Sequence, residues 1–290
     1  MTARRNHILQ QKIQGITTLP TLPQIASRLM RMVSDPEASA SAVAELIQQD
    51  PSIAARVLRL ANSVFYGIPR HVTSLSNAVV ILGFRVVSTV VVTITVFDLF
   101  PQDRDSKTFD REAFWRHCFG VGIIARMLAA RLHKKVAFDP DEAFCAGLLH
   151  DIGKVIMEQY LHDDFHAALA LSQEREIPFF EAEKRLLGYA HTDVAEWLTS
   201  QWELPLVLRE PMMLHHQPSH ATEYRDIICM CHYADWLWYE AGMGGDVVAP
   251  SPLVDDACLH KKDIADMGTE WVKTNVPEEL KKINLLLGSD

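Results

Sequence analysis

Residues 142–154 read E-A-F-C-A-G-L-L-H-D-I-G-K, and this stretch decides the fold. Ala143, Phe144, Gly147, Leu148, Ile152 and, just beyond, Val155 recur at helical spacing, which predicts a buried helix that is apolar almost all round. The run delivers two adjacent polar residues, His150 and Asp151, into that apolar setting. A buried imidazole beside a buried carboxylate is costly unless something satisfies both, and metal coordination is one established way. Neighbours on a helix diverge by about 100°, so the pair can serve one ion only at the seam of two faces, or share a two-metal centre. The remaining ligands must then come from other helices.

Scanning outward, the candidates are His117 in W-R-H-C-F-G-V-G, His191 in Y-A-H-T-D-V-A, the doublet His215-His216, and Asp235 in C-H-Y-A-D. Each lies in a stretch that reads as helical. A lone histidine on a helix is more often a hydrogen-bonded core residue than a ligand, so His117 gains weight only together with the His150-Asp151 pair. Asp235 would close a mononuclear set of two histidines and two aspartates. His191, His215 and His216 add three further imidazoles to the candidates.

The order H…HD…H…HH…D resembles the metal-ligand order of the HD phosphohydrolase superfamily, in particular its bacterial branch that cleaves cyclic dinucleotides. The first half points more narrowly. L-P-T-L-P-Q-I-A (19–26), S-D-P-E-A-S-A (34–40), L-I-Q-Q-D-P-S-I-A-A-R-V-L-R-L-A-N-S-V-F-Y-G (46–67) and I-L-G-F-R (81–85) strongly resemble the HDOD domain, the HD-related output domain of bacterial signalling proteins. The resemblance spans roughly residues 15–240. It implies a divalent transition metal, Fe, Mn, Ni or Zn, as one or two ions, with His117, His150, Asp151, His191, His215, His216 and Asp235 as ligands. Imidazole and carboxylate donors suit those ions, and a bound divalent ion lowers the pKa of its water towards neutrality. The reaction class would be phosphoester hydrolysis, with Asp151 and Lys154 as the catalytic candidates. Lys154 could meet a substrate phosphate or simply pair with a nearby carboxylate. One departure matters: the cyclic-dinucleotide branch continues from the His doublet with a glutamate and a D-G-x-G-Y-P segment, whereas here His216 is followed by Gln217-Pro218-Ser219-His220. That counts against cyclic-dinucleotide specificity.

Composition narrows the function classes. The chain has 290 residues, 48% of them apolar, which is enough for a large core and argues against disorder. A net charge of −9 offers no general footprint for nucleic acid. The helix after Ser39 or Ser41 and the next one, from Asp50-Pro51 to Tyr66-Gly67, form a short helix-turn-helix that invites a DNA-binding reading, but only Arg56 and Arg59 on the second helix are basic, so simple packing is favoured. Five cysteines, odd in number and sparse, fit a reducing cytoplasm. The trio Cys229, Cys231 and His232 is a weak soft-metal signal beside the ordinary reading of core thiols. The start M-T-A-R-R-N-H-I-L-Q-Q-K lacks an apolar core behind its positive charges, so a secretory leader is not expected. The Val/Ile/Thr-rich stretch 78–100 carries Gly83 and Arg85 and falls short of the roughly 20 apolar residues a bilayer span needs. It reads as a core helix, with a strand as second choice because β-branched residues favour sheets.

Helices are expected from Gln24, after Ser39 or Ser41, from Asp50-Pro51, over 112–132 and 163–176, from Pro178 or Phe179, through His191, up to the His doublet, and around Asp235 until Gly242, Gly244 and Gly245. The polar stretch 101–111 is the best linker candidate. The expected fold is all-α, with an N-terminal helical subdomain (1–105) and an HD-like multi-helix bundle with a C-terminal helical tail (106–290). The leading expectation is a cytoplasmic bacterial signalling module that acts through contacts with a signalling protein partner and retains the metal site. It involves no nucleic acid and no membrane. The rival is a metal-dependent phosphohydrolase acting on a phosphate-containing small molecule.

Overall fold

The computed structural model describes residues 9, 12–13, 22–33, 38–62, 71–100, 109–132, 136, 138–244, 250–255, 258 and 266–287. The regular structure among them is helical, with no strand, as the sequence predicts. The chain divides into two compact units, Thr21–Pro101 with Thr274–Asp290, and Met1–Pro20 with Gln102–Lys273.

The first unit contains α1 (Gln24–Val33), α2 (Ala40–Ile47), α3 (Pro51–Ala61), α4 (Leu75–Leu82) and α5 (Phe84–Leu99). Ser39 caps α2 by accepting from the Ala42 amide at 3.1 Å. Asp50 caps α3, its Oδ1 accepting from the amides of Ser52 and Ile53 at 2.9 and 3.1 Å. Leu29, Val43, Ile47, Val57, Val79 and Val87 close a core among these helices. Asn62 ties the end of α3 to the start of the next segment, donating to the Leu58 and Val72 carbonyls and accepting from the Val72 amide at 2.7–2.8 Å. The asparagine of L-A-N-S thus has a structural task, replacing backbone partners that the turn removes. The β-branched run forms α5 rather than a strand. Gly83, at φ +87°, breaks it from α4 in the left-handed region that favours glycine. No single helix among the described residues is long and apolar enough to cross a membrane.

The second unit contains α6 (Arg111–Leu132), α7 (Pro140–Leu149), α8 (Ile152–Tyr160), α9 (His162–Arg175), α10 (Phe179–Leu186), α11 (His191–Gln201), α12 (Leu206–Leu214) and α13 (Arg225–Glu240). α14 (Thr269–Leu287) has residues in each unit. Most of the expected linker, 101–108, lies outside the described residues. α6 is buried along nearly its whole length and forms the spine. It crosses α7 where two glycines meet: a Cβ on Gly147 would lie 2.8 Å from Gly122 Cα, and one on Gly122 would lie 2.7 Å from Phe144 O. It also receives α13 at Gly120, where a Cβ would overlap the Trp238 ring at 1.8 Å. A buried ion pair, Arg111 Nη2 to Glu158 Oε2 at 2.6 Å, joins α6 to α8.

One expectation is corrected here. The single helix read through residues 142–155 is two helices, broken at His150-Asp151. The upstream part starts earlier, at Pro140, behind a capping box formed by Asp139 and Glu142. His150 ends α7, and Asp151, at φ −100° and ψ 12°, opens α8. The break removes the fixed divergence of helical neighbours, so both side chains turn into one interior.

Candidate metal centre

The seven sequence-identified positions fall into two adjoining groups, His117, His150 and Asp235 in one, and Asp151, His191, His215 and His216 in the other. Within each group the potential ligand atoms lie within 4.8 Å of one another. His117 comes from the middle of α6, His150-Asp151 from the α7–α8 break, His191 from the first residue of α11, His215-His216 from the end of α12, and Asp235 from α13. Gly153 makes this convergence possible, since a Cβ there would meet the His191 carbonyl oxygen at 2.0 Å.

Asp151 is the hinge between the groups. Its Oδ2 faces His150 Nε2 at 3.2 Å and His117 Nε2 at 3.4 Å. Its Oδ1 faces His191 Nε2 at 3.1 Å and His215 Nε2 at 3.4 Å. Asp235 Oδ1 lies 3.4 Å from His117 Nε2 and 3.9 Å from His150 Nε2. His150 and Asp151, consecutive in the sequence, therefore face the same interior.

The ring orientations are set from outside. His150 Nδ1 donates to the Gly147 carbonyl at 2.6 Å and His215 Nδ1 to the Pro211 carbonyl at 2.9 Å. A carbonyl can only accept, so each of these rings carries its proton on Nδ1 and, when neutral, turns the Nε2 lone pair inward. His191 Nδ1 donates to the Glu183 carboxylate at 2.6 Å. The inward atoms, by contrast, have no aligned hydrogen bond: Asp151 Oδ1, His191 Nε2, His215 Nε2 and Asp235 Oδ1 are all buried without one. Orphaned donors and acceptors in such number are costly in a packed interior. A nitrogen and oxygen set aimed at common points is the donor pattern that divalent transition ions take. The residues present fit such ions.

The electrostatics agree with that reading. Burial, against the pull of Asp151, pushes the His215 imidazole down to about 4. Burial, with His215 and His191 nearby, holds His216 well below the ordinary histidine value. Burial opposes charge on His191 as well, but Glu183 and Asp151 outweigh it and raise the group to about 9. Asp151 stays well below the usual carboxylate range because His150 and Lys154 outweigh its own burial. Lys154, itself buried, sits with Nζ 2.5 Å from Asp151 Oδ2.

A cavity of about 150 Å³ opens beside the second group. Lys154, His191, His216 and Asp235 supply its polar side, and Phe180 and Tyr239 flank it. Segment 250–253 adds Pro250, Pro252 and Leu253 to the wall. Two residues beyond this segment, Asp255 donates its amide to His232 Nε2 at 2.7 Å, and His232 Nδ1 donates in turn to the His215 carbonyl at 2.6 Å. Cys229 is joined to Cys258 by a disulfide, so Cys229, Cys231 and His232 do not form a thiolate metal site. Sequence reading passed over Glu183 and Tyr239, and named His232 only within the soft-metal trio. Tyr239 alone had a local signal, lying four residues after Asp235 and hence on the same helical face. Glu183, in E-A-E-K, carries no local sign of its burial.

The chain matches the family model of the HDOD domain over residues 19–218. A crystal structure of an HDOD domain protein of unknown function from Geobacter sulfurreducens is 26% identical, with a TM-score of 0.76, over 100% of this chain and 99% of that one. A candidate phosphohydrolase from Shewanella amazonensis SB2B is 27% identical, with a TM-score of 0.66, over 97% of this chain and 88% of that one. An uncharacterized protein of Treponema pallidum (strain Nichols) is 24% identical over 221 residues. That alignment takes in 76% of this chain, which spans only 42% of the relative's length.

Proposed function

Since this chain belongs to the HDOD domain family, we propose that it is a bacterial signalling module whose chemistry is metal-dependent hydrolysis of a phosphoester at a two-ion centre. One observation carries the reading. Seven candidate ligand residues, six of them buried and His216 half-buried, converge from five parts of the helical unit, and the inward atoms of Asp151, His191, His215 and Asp235 lack hydrogen-bond partners. A domain serving only as a scaffold would gain stability by replacing them with apolar residues, because unpaired buried polar groups are destabilising.

In this assignment His117, His150 and Asp235 would hold one ion, His191, His215 and His216 would hold the other, and Asp151 would serve both. Fe, Mn, Ni and Zn suit the donors. When bound, the ions supply Lewis acidity for attack of water on phosphorus. The protein's own part is positional. The carbonyls of Gly147 and Pro211 hold two rings in the ligating tautomer. Lys154, which faces both Asp151 and the cavity, offers a cation to a phosphate oxygen. Phe180, Tyr239 and residues 250, 252 and 253 supply the apolar wall of the cavity. The cavity suits a single phosphate with one small substituent, in keeping with the loss of the D-G-x-G-Y-P segment.

A second reading, output through protein contacts with the centre as a structural element, is favoured by the Lys154–Asp151 pair, which neutralises the shared carboxylate without any ion. Elemental analysis of purified protein and of His150→Ala/Asp151→Ala decides first. Metal near two ions per chain in the wild type, lost in the double variant, supports the centre. Hydrolysis of p-nitrophenyl phosphate and a mononucleotide panel by the loaded protein then supports catalysis. Metal without turnover leaves the contact reading, and a folded wild type that takes up no metal refutes the centre.

A further inference from the structure

His191 differs from the other site histidines in what stands behind it. His150 and His215 lean on neutral carbonyls, and His117 Nδ1 has no hydrogen-bond partner. His191 leans on a carboxylate that is itself fully buried. Glu183 engages it at two points. Its Oε2 accepts from His191 Nδ1 at 2.6 Å, and its Oε1 accepts from the His191 backbone amide at 3.1 Å. Both atoms of one residue are thereby fixed by one side chain.

The surroundings make the clamp rigid. α10, which carries Glu183, turns into α11 through residues 187–190, where Gly188 takes φ +79°. The turn is pinned by Asp193 Oδ2, which accepts from the Ala190 amide at 2.7 Å and pairs with Lys184 at 2.5 Å. The Phe179 ring stacks parallel to the His191 ring, 13° from coplanar with centroids 6.3 Å apart. His191 therefore has little freedom to rotate, and its Nε2 is held towards Asp151 Oδ1. Glu183 and Asp151 bracket the imidazole in a carboxylate–imidazole–carboxylate line.

We propose that Glu183 is a positioning residue that fixes the Nδ1–H tautomer of His191 and strengthens Nε2 as a donor, making the position shared by Asp151 Oδ1, His191, His215 and His216 the tighter of the two. The inference rests on the two-ion reading above. A carboxylate behind a ligating histidine draws the Nδ1 proton towards itself and enriches Nε2, and loss of such a partner typically lowers metal affinity 10–100-fold. Neutral carbonyls do this less, so the two ion positions are inequivalent.

The competing explanation is that Glu183 merely caps α11 through the His191 amide. Co²⁺ titration of metal-free wild type, Glu183→Gln, Glu183→Asp and His191→Ala, read by calorimetry and visible absorption with parallel melting curves, separates the two. Glutamine can accept one of the two hydrogen bonds but presents its amide group to the other donor. Glu183→Gln is expected to weaken the tighter Co²⁺ 10–100-fold and shift its absorption bands, leaving the second ion within about twofold. Glu183→Asp, which keeps the charge, is expected to recover part of that loss, and Glu183→Gln added to His191→Ala to cost nothing more. A lower melting temperature with unchanged isotherm and bands would reduce Glu183 to a helix cap and overturn the proposal alone. Wild type that binds no Co²⁺ would overturn this proposal and the metal centre together.

Discussion

Substituting Gly153 by alanine tests how the site is assembled. The added Cβ would stand 2.0 Å from His191 O and 2.7 Å from His191 C, both backbone atoms with no rotamer to escape into. Ordinary contact begins near 3.4 Å, so α8 and the start of α11 must separate by about 1.4 Å, the difference between 3.4 and 2.0. His191 Nε2 now lies 3.1 Å from Asp151 Oδ1. Metal sites tolerate only about ±0.2 Å in ligand distance, so this shift is several times too large for both residues to hold the same ion. Overpacking costs about 1–3 kcal/mol, and the better helix propensity of alanine returns up to about 1 kcal/mol. A net loss of ~1–2 kcal/mol corresponds to a melting temperature lower by roughly 2–8 °C for a unit of this size. The assay is calorimetric melting of the metal-free variant together with Co²⁺ titration. The expected outcome is a folded protein that loses the His191-side ion. A variant with wild-type melting and two wild-type affinities would show that the close approach of α8 to His191 does not set the site.

Other outcomes follow from the same geometry. Metal uptake should release close to one proton per ion bound at the His191 position between about pH 7 and 8, because His191 sits at about 9 and must lose its proton to ligate, whereas His215 at about 4 is already neutral. Affinity there should rise with pH and level off above about 9, and calorimetry in buffers of different ionisation heat that detects no proton release would contradict this. In the metal-free protein the raised His191 contributes stability that is complete below pH 6.5 and fades as pH rises through about 9, so melting curves at pH 6 and 10 should differ in that direction. Arg111→Met should cost about 3–5 kcal/mol, since it leaves Glu158 charged and buried, while Arg111→Met/Glu158→Leu should recover most of it; equal melting of the single and double variants would count against a buried pair. Cys258→Ser should lower stability by about 3–4 kcal/mol, the chain-entropy cost of opening a 29-residue separation, and a reductant that leaves wild-type melting unchanged would show that the bridge contributes nothing.

How much of this was legible beforehand varies by residue. The helices around His117 and Asp235 were readable because their apolar spacing is local, and Asp50 announced the start of α3 through capping chemistry that needs only its two neighbours. The E-A-F-C-A-G-L-L-H-D-I-G-K run identified the residue pair at the heart of the site but not its backbone. Periodicity continues across His150-Asp151, and nothing local marks the break there. Gly153 has no role legible from its neighbours in the sequence, and its purpose appears only when the His191 carbonyl arrives from 38 residues away.

The sequence by itself determined the all-α class, the order of the candidate ligands and the resemblance to HDOD domains, since these depend on residue types and short-range spacing. Only the tertiary structure decided that Asp151 gives one oxygen to each group, that Glu183 is buried behind His191, and that Cys229 pairs with Cys258. Those relations join residues on different helices. Their distances are set by how closely glycines let the helices approach and by which polar groups find no water, and spacing along the chain carries neither quantity.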